Sequence, residues 1–216
     1  MMNKVVDIYM PLDSRDEPNT EVWPVATGQL EELIKVIKKC AWEAHVLNPS
    51  GPVTSVAEGM QIIQKAKGAR FINFLAGWAF PDFSVSPMWQ LPKDTPKLMI
   101  GSSIPDFPGA VGLLAAVSGT AHVGIETDRL YIEKFEEHDT YIDSMERFLQ
   151  EGTFTPSLPE AIEVPVTAAD REKAKKAVHE LRGSIYGAVG PRSMQMWNKI
   201  SAVSYTHLTL PTTPYV

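Results

Sequence analysis

Residues 70–80 read Arg-Phe-Ile-Asn-Phe-Leu-Ala-Gly-Trp-Ala-Phe, and this stretch decides the fold. Its first six residues are nearly all apolar, which predicts a strand buried on both faces. The Ala-Gly that follows predicts a tight turn at the carboxyl end of that strand. Residues 96–100 repeat the apolar pattern and lead into Gly101-Ser102-Ser103. A sheet that is buried on both faces needs helices on both sides, so these two stretches indicate a parallel α/β fold.

Strand and helix patterns alternate on both sides of this centre. Residues 4–10 and 44–47 read as strands, and residues 28–41 carry apolar side chains at helical spacing. Ser55 with Glu58, and Thr167 with Asp170, are each typical of a helix N-terminus. Further helices are predicted over residues 109–117, 141–150 and 167–182, and a further strand over residues 184–189. The alternation predicts a parallel sheet flanked by helices, in a Rossmann-like or flavodoxin-like arrangement.

The predicted elements divide the chain into three parts. We expect a first α/β domain over residues 1–181 and the opening strand and turn of a second α/β domain over residues 182–202. Residues 203–216 carry no Lys, Arg, Asp or Glu and no helical period. Back-translated in one reading frame, residues 203–212 match a transposase adapter used in making sequencing libraries. We therefore expect residues 203–216 to be a foreign tail and the parent gene to continue.

Composition excludes several classes of partner. The net charge of −6 makes nucleic acid an unfavourable main partner. The longest apolar run, residues 110–117, is far short of the roughly 20 residues that a membrane span needs. The amino terminus lacks the apolar core of a secretory signal, and the single cysteine, Cys40, excludes an internal disulfide. A cytoplasmic protein is expected.

Candidate binding residues follow the predicted strands, because ligands of open parallel sheets collect at the strands' carboxyl ends. Asp13-Ser14-Arg15 follows the first strand, and Gly77-Trp78 follows the buried strand of residues 70–75. Ser102 and the turn of residues 190–194 stand in equivalent places. Each turn combines small residues with one long or aromatic side chain, which suits a small polar ligand such as a sugar.

Several of these stretches resemble the first domain of the L-fucose isomerase family. The resemblance lies in Gly77-Trp78-Ala79-Phe80, in residues 91–101, and in Pro108-Gly109-Ala110-Val111 with Leu114-Ala115-Ala116. Residues 181–187, followed by Gly190-Pro191-Arg192-Ser193-Met194, are similar to the start of that family's second domain. The family turn usually has glycine where Pro191 and Gln195 stand here, which leaves the identity of the sugar open.

The resemblance implies a manganese-dependent aldose–ketose isomerase acting on L-fucose-like or D-arabinose-like sugars. It also implies a homohexamer in which the first domain of one subunit closes over the active site of its neighbour. By motif, Trp78 and Arg15 would then face the sugar from that neighbour, and Met194 would line the pocket. Arg192 and Ser193, in the same turn as Met194, are further candidate substrate-binding residues. The family's catalytic groups and metal ligands lie later in the chain than residue 202, so we expect no catalytic residue, bound manganese or activity here.

Other readings stay open at this point. The chain is also compatible with a relative of L-arabinose isomerase, or with a sugar-binding α/β module that has no catalysis. A nucleotide-binding domain is disfavoured, because no Gly-x-Gly-x-x-Gly follows the first strand. Residues 136–139 read Glu-Glu-His-Asp, and we interpret them as an acidic surface turn rather than a metal cluster. Cys40 is interpreted as a packed thiol rather than a reactive one.

Overall fold

Five parallel strands form the centre of the protein. The computed structural model describes residues 3–102, 109–153 and 165–182. The strands are β1 (Val5–Tyr9), β2 (Glu43–Val46), β3 (Arg70–Leu75), β4 (Lys97–Ser102) and β5 (Asp128–Ile132). They lie in the order β2-β1-β3-β4-β5, and every neighbouring pair is parallel. This is the flavodoxin-like strand order, so the predicted α/β fold is confirmed.

Helices connect the strands. They are α1 (Asp16–Lys39), α2 (Val56–Ile62), α3 (Asp82–Met88), α4 (Gly109–His122), α5 (Ile142–Glu151) and α6 (Ala168–Leu181), with short 3₁₀ helices at Ile63–Lys65 and His138–Thr140. No helix in the described ranges combines the length and the apolarity that crossing a bilayer requires.

The sheet separates two apolar cores. Ile72 and Phe74 of β3 point to one side, where they pack with α1 and α5. Phe71 and Leu75 point to the other side, where they pack with residues of α3 and α4. All six residues of β3 and all six of β4 are buried, as expected for strands covered on both faces. The prediction from residues 70–75 and 96–100 is therefore confirmed.

Helix α1 is longer than the sequence pattern indicated. It begins at Asp16 rather than at Gly28, inside the stretch that reads as a polar turn. Asp16 and Glu17 suit the positive end of the helix dipole, and Pro18 stands in the first turn, where a missing N–H costs nothing. Buried side chains continue the helical period upstream of residue 28, at Asn19, Val22 and Ala26. Tertiary packing therefore stabilises the first turns of α1, although their polar, proline-containing sequence does not indicate a helix.

Two elements were not predicted. Helix α3 contains Pro87 and begins directly after Pro81, so its composition reads as a loop. Strand β5 is an edge strand in which buried and half-exposed positions alternate with exposed ones. The strand pairs with β4 only, and its polar residues, among them Arg129, explain why the sequence pattern does not indicate a strand here.

The described residues fall into two compact units. The first holds the five strands and α1 to α5. Of the second, the structure describes residues 165–182, which include α6. The predicted cap of α6 is present in full: the Thr167 hydroxyl accepts from the Asp170 amide, and the Asp170 carboxylate accepts from the Thr167 amide. The strand predicted over residues 184–189 and the tail of residues 203–216 lie outside the described residues.

Two buried polar side chains hold parts of the first unit together. The Asp7 carboxylate of β1 accepts hydrogen bonds from the amides of Lys67 and Gly68, just before β3, and contacts His45 of β2 at 2.6 Å. The Arg70 guanidinium donates to the carbonyls of Phe148 and Gln150 at the carboxyl end of α5. These contacts fix the sheet independently of the loops at its carboxyl edge.

Candidate functional site at the carboxyl edge of the sheet

The candidate site lies at the junction of β1 and β3. The chain leaves β1 toward β2 on one side and leaves β3 toward β4 on the other, so the two following loops diverge at this point. Such a switch point leaves a crevice beyond the strand ends, and it is the usual ligand position in open α/β sheets. Arg15 follows β1 and Trp78 follows β3, so the predicted placement of both residues at one edge is confirmed.

Arg15 is exposed but firmly held. Its Nη2 donates to Asp13 Oδ2 at 2.6 Å, and its Nε donates to Asp13 Oδ1 at 3.1 Å. The Arg15 side chain is 72% exposed, whereas that of Asp13 is only 5% exposed. The guanidinium beside Asp13 holds the pKa of that carboxyl below its usual range. The buried carboxylate of Asp13 therefore orients the guanidinium of Arg15, which faces solvent.

The loop that carries this pair is anchored to α1. The side-chain amide of Asn19 donates to the backbone carbonyl of Asp13 at 2.7 Å. Asn19 is itself buried, and Leu12 and Val22 pack beside Gly77 in the loop after β3. The first turns of α1 thus connect the two loops that bear Arg15 and Trp78.

Trp78 is half-buried, and its ring makes an edge contact with Phe80 at a centroid distance of 5.9 Å. Phe80 in turn packs against Phe83 of α3 at 5.5 Å. On the other side, Gly112 of α4 approaches the backbone of residues 77–79. The indole therefore has an aromatic neighbour, its backbone lies against α4, and part of its surface remains available to a ligand.

Ser102 does not take the role that the sequence suggested. It ends β4 at the same edge, but it is fully buried. Its hydroxyl accepts a hydrogen bond from Gln29 Nε2 of α1 at 2.8 Å. The side-chain oxygen of Gln29 is buried, and no described residue donates a hydrogen bond to it. Ser102 therefore contributes to the contact between α1 and β4. Gln29 is a polar residue at this edge that the sequence analysis did not identify, because the helical pattern of apolar residues does not single it out.

A groove of about 550 Å³ runs beside the Arg15 loop, between the first turns of α1 and the loop after β2. It is bounded on the α1 side by Asp16, Asn19, Thr20 and Trp23. Trp23 is half-buried, packs on the core and also lines this groove.

The charge around the site is negative. Asp13, Asp16 and Glu17 place three carboxylates around the single guanidinium of Arg15 within this loop and the start of α1. The nearby carboxylates raise the pKa of Arg15, chiefly through its hydrogen bonds to Asp13, so it stays charged. A phosphorylated or acidic ligand would meet net repulsion here, whereas a neutral polyhydroxyl ligand would not.

Residues 136–139 behave as a surface turn with one structural histidine. Glu136, Glu137 and Asp139 are exposed. His138 is engaged through both ring nitrogens, by Glu32 at 2.9 Å and by Lys39 at 2.8 Å, both on α1. Within the ranges that the structure describes, no three His, Cys, Asp or Glu side chains gather where they would hold a metal. The described residues therefore do not fit the manganese ion that the family resemblance implies.

The other sequence-based candidates have separate outcomes. Arg192, Ser193 and Met194 lie outside the described residues. Cys40 is buried, and burial, reinforced by Glu146, raises the pKa of its thiol. A raised pKa disfavours the nucleophilic thiolate, in agreement with the interpretation of Cys40 as a packed thiol.

Comparison with known families agrees with this picture. Residues 6–150 match the family described as L-fucose isomerase, first N-terminal domain. The chain therefore belongs to the L-fucose isomerase family, and membership implies that the parent protein is an isomerase. The matched residues run from β1 into α5 and include both Arg15 and Trp78. No significant match to a curated protein or to a solved structure was found.

Proposed function

We propose that this chain supplies the sugar-facing edge of a metal-dependent aldose–ketose isomerase that acts on L-fucose-like or D-arabinose-like sugars. The observation that carries the proposal is that an oriented, exposed Arg15 and a half-exposed Trp78 follow neighbouring parallel strands, β1 and β3, at the switch point of the sheet. Both stand on loops of the domain that matches the family.

The two side chains offer complementary contacts to a sugar. The guanidinium of Arg15 has only donors, which suit the hydroxyl and ring oxygens of a sugar. The indole of Trp78 offers an apolar face for the C–H groups of the same ring. The surrounding carboxylates favour a neutral sugar over a sugar phosphate.

The reaction itself needs groups from elsewhere in the parent protein. The described residues do not form a metal site, so no step of the isomerisation is assigned to them. We propose that manganese is held by other segments of the parent and that this chain alone binds no metal and has no activity. In this proposal Arg15 and Trp78 bind and orient the sugar and do not transfer its protons.

The exposure of Arg15 supports a site that is shared between surfaces. With 72% of its side chain accessible, the guanidinium has room to meet a sugar held by another subunit. We propose that the parent is a cytoplasmic homo-oligomer, a hexamer, in which this edge closes over a neighbouring active site. In the same proposal the turn of Arg192, Ser193 and Met194 lines the pocket of its own subunit.

Sugar binding to the chain tests the proposal. Binding of L-fucose, D-arabinose and L-arabinose, and of L-fucose 1-phosphate as the charged comparison, is measured by isothermal titration calorimetry. We expect neutral sugars to bind with a Kd on the order of millimolar and the phosphate to bind more weakly. Arg15→Ala and Trp78→Phe should each weaken binding by about tenfold. The matched control is Trp89→Phe, because Trp89 is 58% exposed but follows α3, at the end of the sheet where β4 begins.

The same titration separates the alternatives. Tightest binding of L-arabinose would favour the L-arabinose isomerase relative over the L-fucose-like assignment. Binding that survives both Arg15→Ala and Trp78→Phe, or no binding of any sugar, would overturn the proposal.

A further inference from the structure

We propose that Asp13, anchored by Asn19, is a positioning residue that fixes the guanidinium of Arg15 in the orientation in which it meets the sugar. The inference rests on the proposed function for its ligand, but the geometry behind it belongs to this chain alone. Asp13 itself does not touch the sugar in this account, because it is buried behind Arg15.

The contacts of the Asp13 carboxylate point to this role. Oδ1 accepts from both the backbone N–H and the side-chain Nε of Arg15, each at 3.1 Å, and Oδ2 accepts from Nη2 at 2.6 Å. A carboxylate that accepts hydrogen bonds from the Nε and from one terminal nitrogen of a guanidinium makes a two-point contact. Such a contact restricts rotation of the planar guanidinium. Among the described residues no other group accepts from the guanidinium, so the other terminal nitrogen, Nη1, and the outward N–H of Nη2 are left for a ligand.

A comparison with Asp7 separates positioning from structural support. The buried carboxylate of Asp7 joins different elements: it binds the amides of Lys67 and Gly68 and the ring of His45. The Asp13 carboxylate instead accepts hydrogen bonds within its own loop, from the backbone and the side chain of Arg15. It does not connect the loop to the core; the Asn19 side chain does that, through the Asp13 carbonyl.

Burial of Asp13 makes the arrangement effective. Its side chain is 5% exposed, so water does not compete freely for its oxygens. An exposed arginine without such a partner samples many rotamers and loses that freedom when a ligand binds. Because Asp13 restricts Arg15 before the sugar arrives, less freedom remains to be lost on binding. Asp13 therefore contributes to sugar affinity without contacting the sugar.

The experiment measures the Arg15 guanidinium directly. Hydrogen exchange of the Arg15 Nε–H is followed by NMR in the ¹⁵N-labelled chain, with the exposed Arg129 as the internal reference. We expect the Arg15 Nε–H to exchange about tenfold more slowly than that of Arg129, because Nε donates to Asp13. Asp13→Asn should remove most of this difference, whereas Asp13→Glu, which keeps a carboxylate, should restore part of it. Asn19→Ala should give an intermediate exchange rate.

Sugar affinity is the second readout, measured with L-fucose as the probe. Asp13→Asn should weaken L-fucose binding about three- to tenfold, while Asp139→Asn, at an exposed carboxylate of the surface turn, leaves it unchanged. Unchanged Arg15 exchange in Asp13→Asn would overturn the inference, whatever the affinity does. Absence of L-fucose binding by the unmodified chain would overturn the proposed function alone, since the exchange measurement still decides whether Asp13 holds Arg15.

Discussion

Gly112 of α4 lies so close to Gly77 that a Cβ on Gly112 would stand 2.7 Å from the carbonyl oxygen of Gly77. Real Cβ atoms do not approach backbone oxygens so closely, so only glycine fits at this position without displacing the neighbouring loop. Gly77 directly precedes Trp78, and Val22 of α1 packs against the other side of Gly77. The position of the Trp78 loop is thus set by backbone packing between α1 and α4.

Replacement of Gly112 by alanine should displace the Trp78 loop and destabilise the protein. The added methyl meets backbone rather than a flexible side chain, so we expect a loss of about 1–3 kcal/mol in the free energy of unfolding. Urea denaturation measures it. The matched control is Gly28→Ala in the exposed part of α1, where a Cβ meets nothing within 4 Å; it should stabilise by about 0.5–1 kcal/mol. Equal effects of the two substitutions would contradict this packing.

Arg70→Met tests the buried connection between β3 and α5. Methionine keeps an apolar stem beside Trp42, but the Gln150 carbonyl loses its guanidinium donor and the Phe148 carbonyl keeps only the amide of Gly152. Because these carbonyls end a helix in a mostly buried place, we expect a loss of about 2 kcal/mol or more. Thermal or urea unfolding measures the change. Arg129→Met, at an exposed position of β5, should change stability by less than about 0.5 kcal/mol, and a comparable loss there would show that the effect is not specific to Arg70.

The Asp13–Arg15 pair predicts a pH dependence with a defined sign. The pKa of Asp13 is lower in the folded chain than in the unfolded one, where it lies near 3.9, chiefly because Arg15 donates to it. Its stabilising contribution is therefore complete well above pH 4 and is lost as the pH falls through the folded pKa. Because Arg15 is exposed, that contribution is about 0.5–1 kcal/mol.

Urea unfolding of the unmodified chain and of Asp13→Asn, at pH 7 and at successively lower pH, measures this contribution. The difference between the two free energies of unfolding should be largest near neutral pH and should shrink as the pH falls below about 4. A difference that is constant over this range would mean that Asp13 is not ionised and paired with Arg15.

The chain by itself should not isomerise sugars. Ene-diol chemistry needs a held metal and a positioned base, each contributing on the order of a hundredfold or more to the rate. The described residues offer no metal cluster, and the carboxylate that contacts Arg15, that of Asp13, is buried and paired with the guanidinium. Ketose formation from L-fucose, D-arabinose and L-arabinose is measured with added manganese beside a blank. Turnover that exceeds the blank and disappears with a chelator would contradict this assignment and would redirect attention to residues 136–139.

Much of the fold follows from the hydrophobic pattern of the sequence. Other parts of the fold do not follow from that pattern, and the causes are physical. Strands β3 and β4 are fully buried, so their apolar runs are unmistakable. The first turns of α1 are stabilised by tertiary packing of Asn19 and Val22, which a local pattern of polar residues and Pro18 does not reveal. Strand β5 lies at an edge, where polar residues are tolerated.

The candidate site was predictable as a set of loops but not as a geometry. Arg15 and Trp78 follow β1 and β3, which are parallel strands of one sheet, and this alone brings both residues to the same edge. The two-point contact between Asp13 and Arg15 depends on the loop conformation and on Asn19, which no spacing rule supplies. For Ser102 the predicted position at the end of a strand is correct. The prediction from position did not show that Ser102 is buried and that its hydroxyl accepts a hydrogen bond from Gln29.

The central claim is that Trp78, at the carboxyl edge, faces the sugar, and the indole N–H signals of the ¹⁵N-labelled chain test it most directly. The five tryptophans give separate signals, and Trp78→Phe and Trp89→Phe identify the two that matter. On titration with L-fucose, the Trp78 signal is predicted to shift with a saturable, millimolar dependence while the signal of the exposed Trp89 stays in place. A Trp78 signal that does not move at saturating L-fucose, or equal shifts at Trp78 and Trp89, would contradict the account.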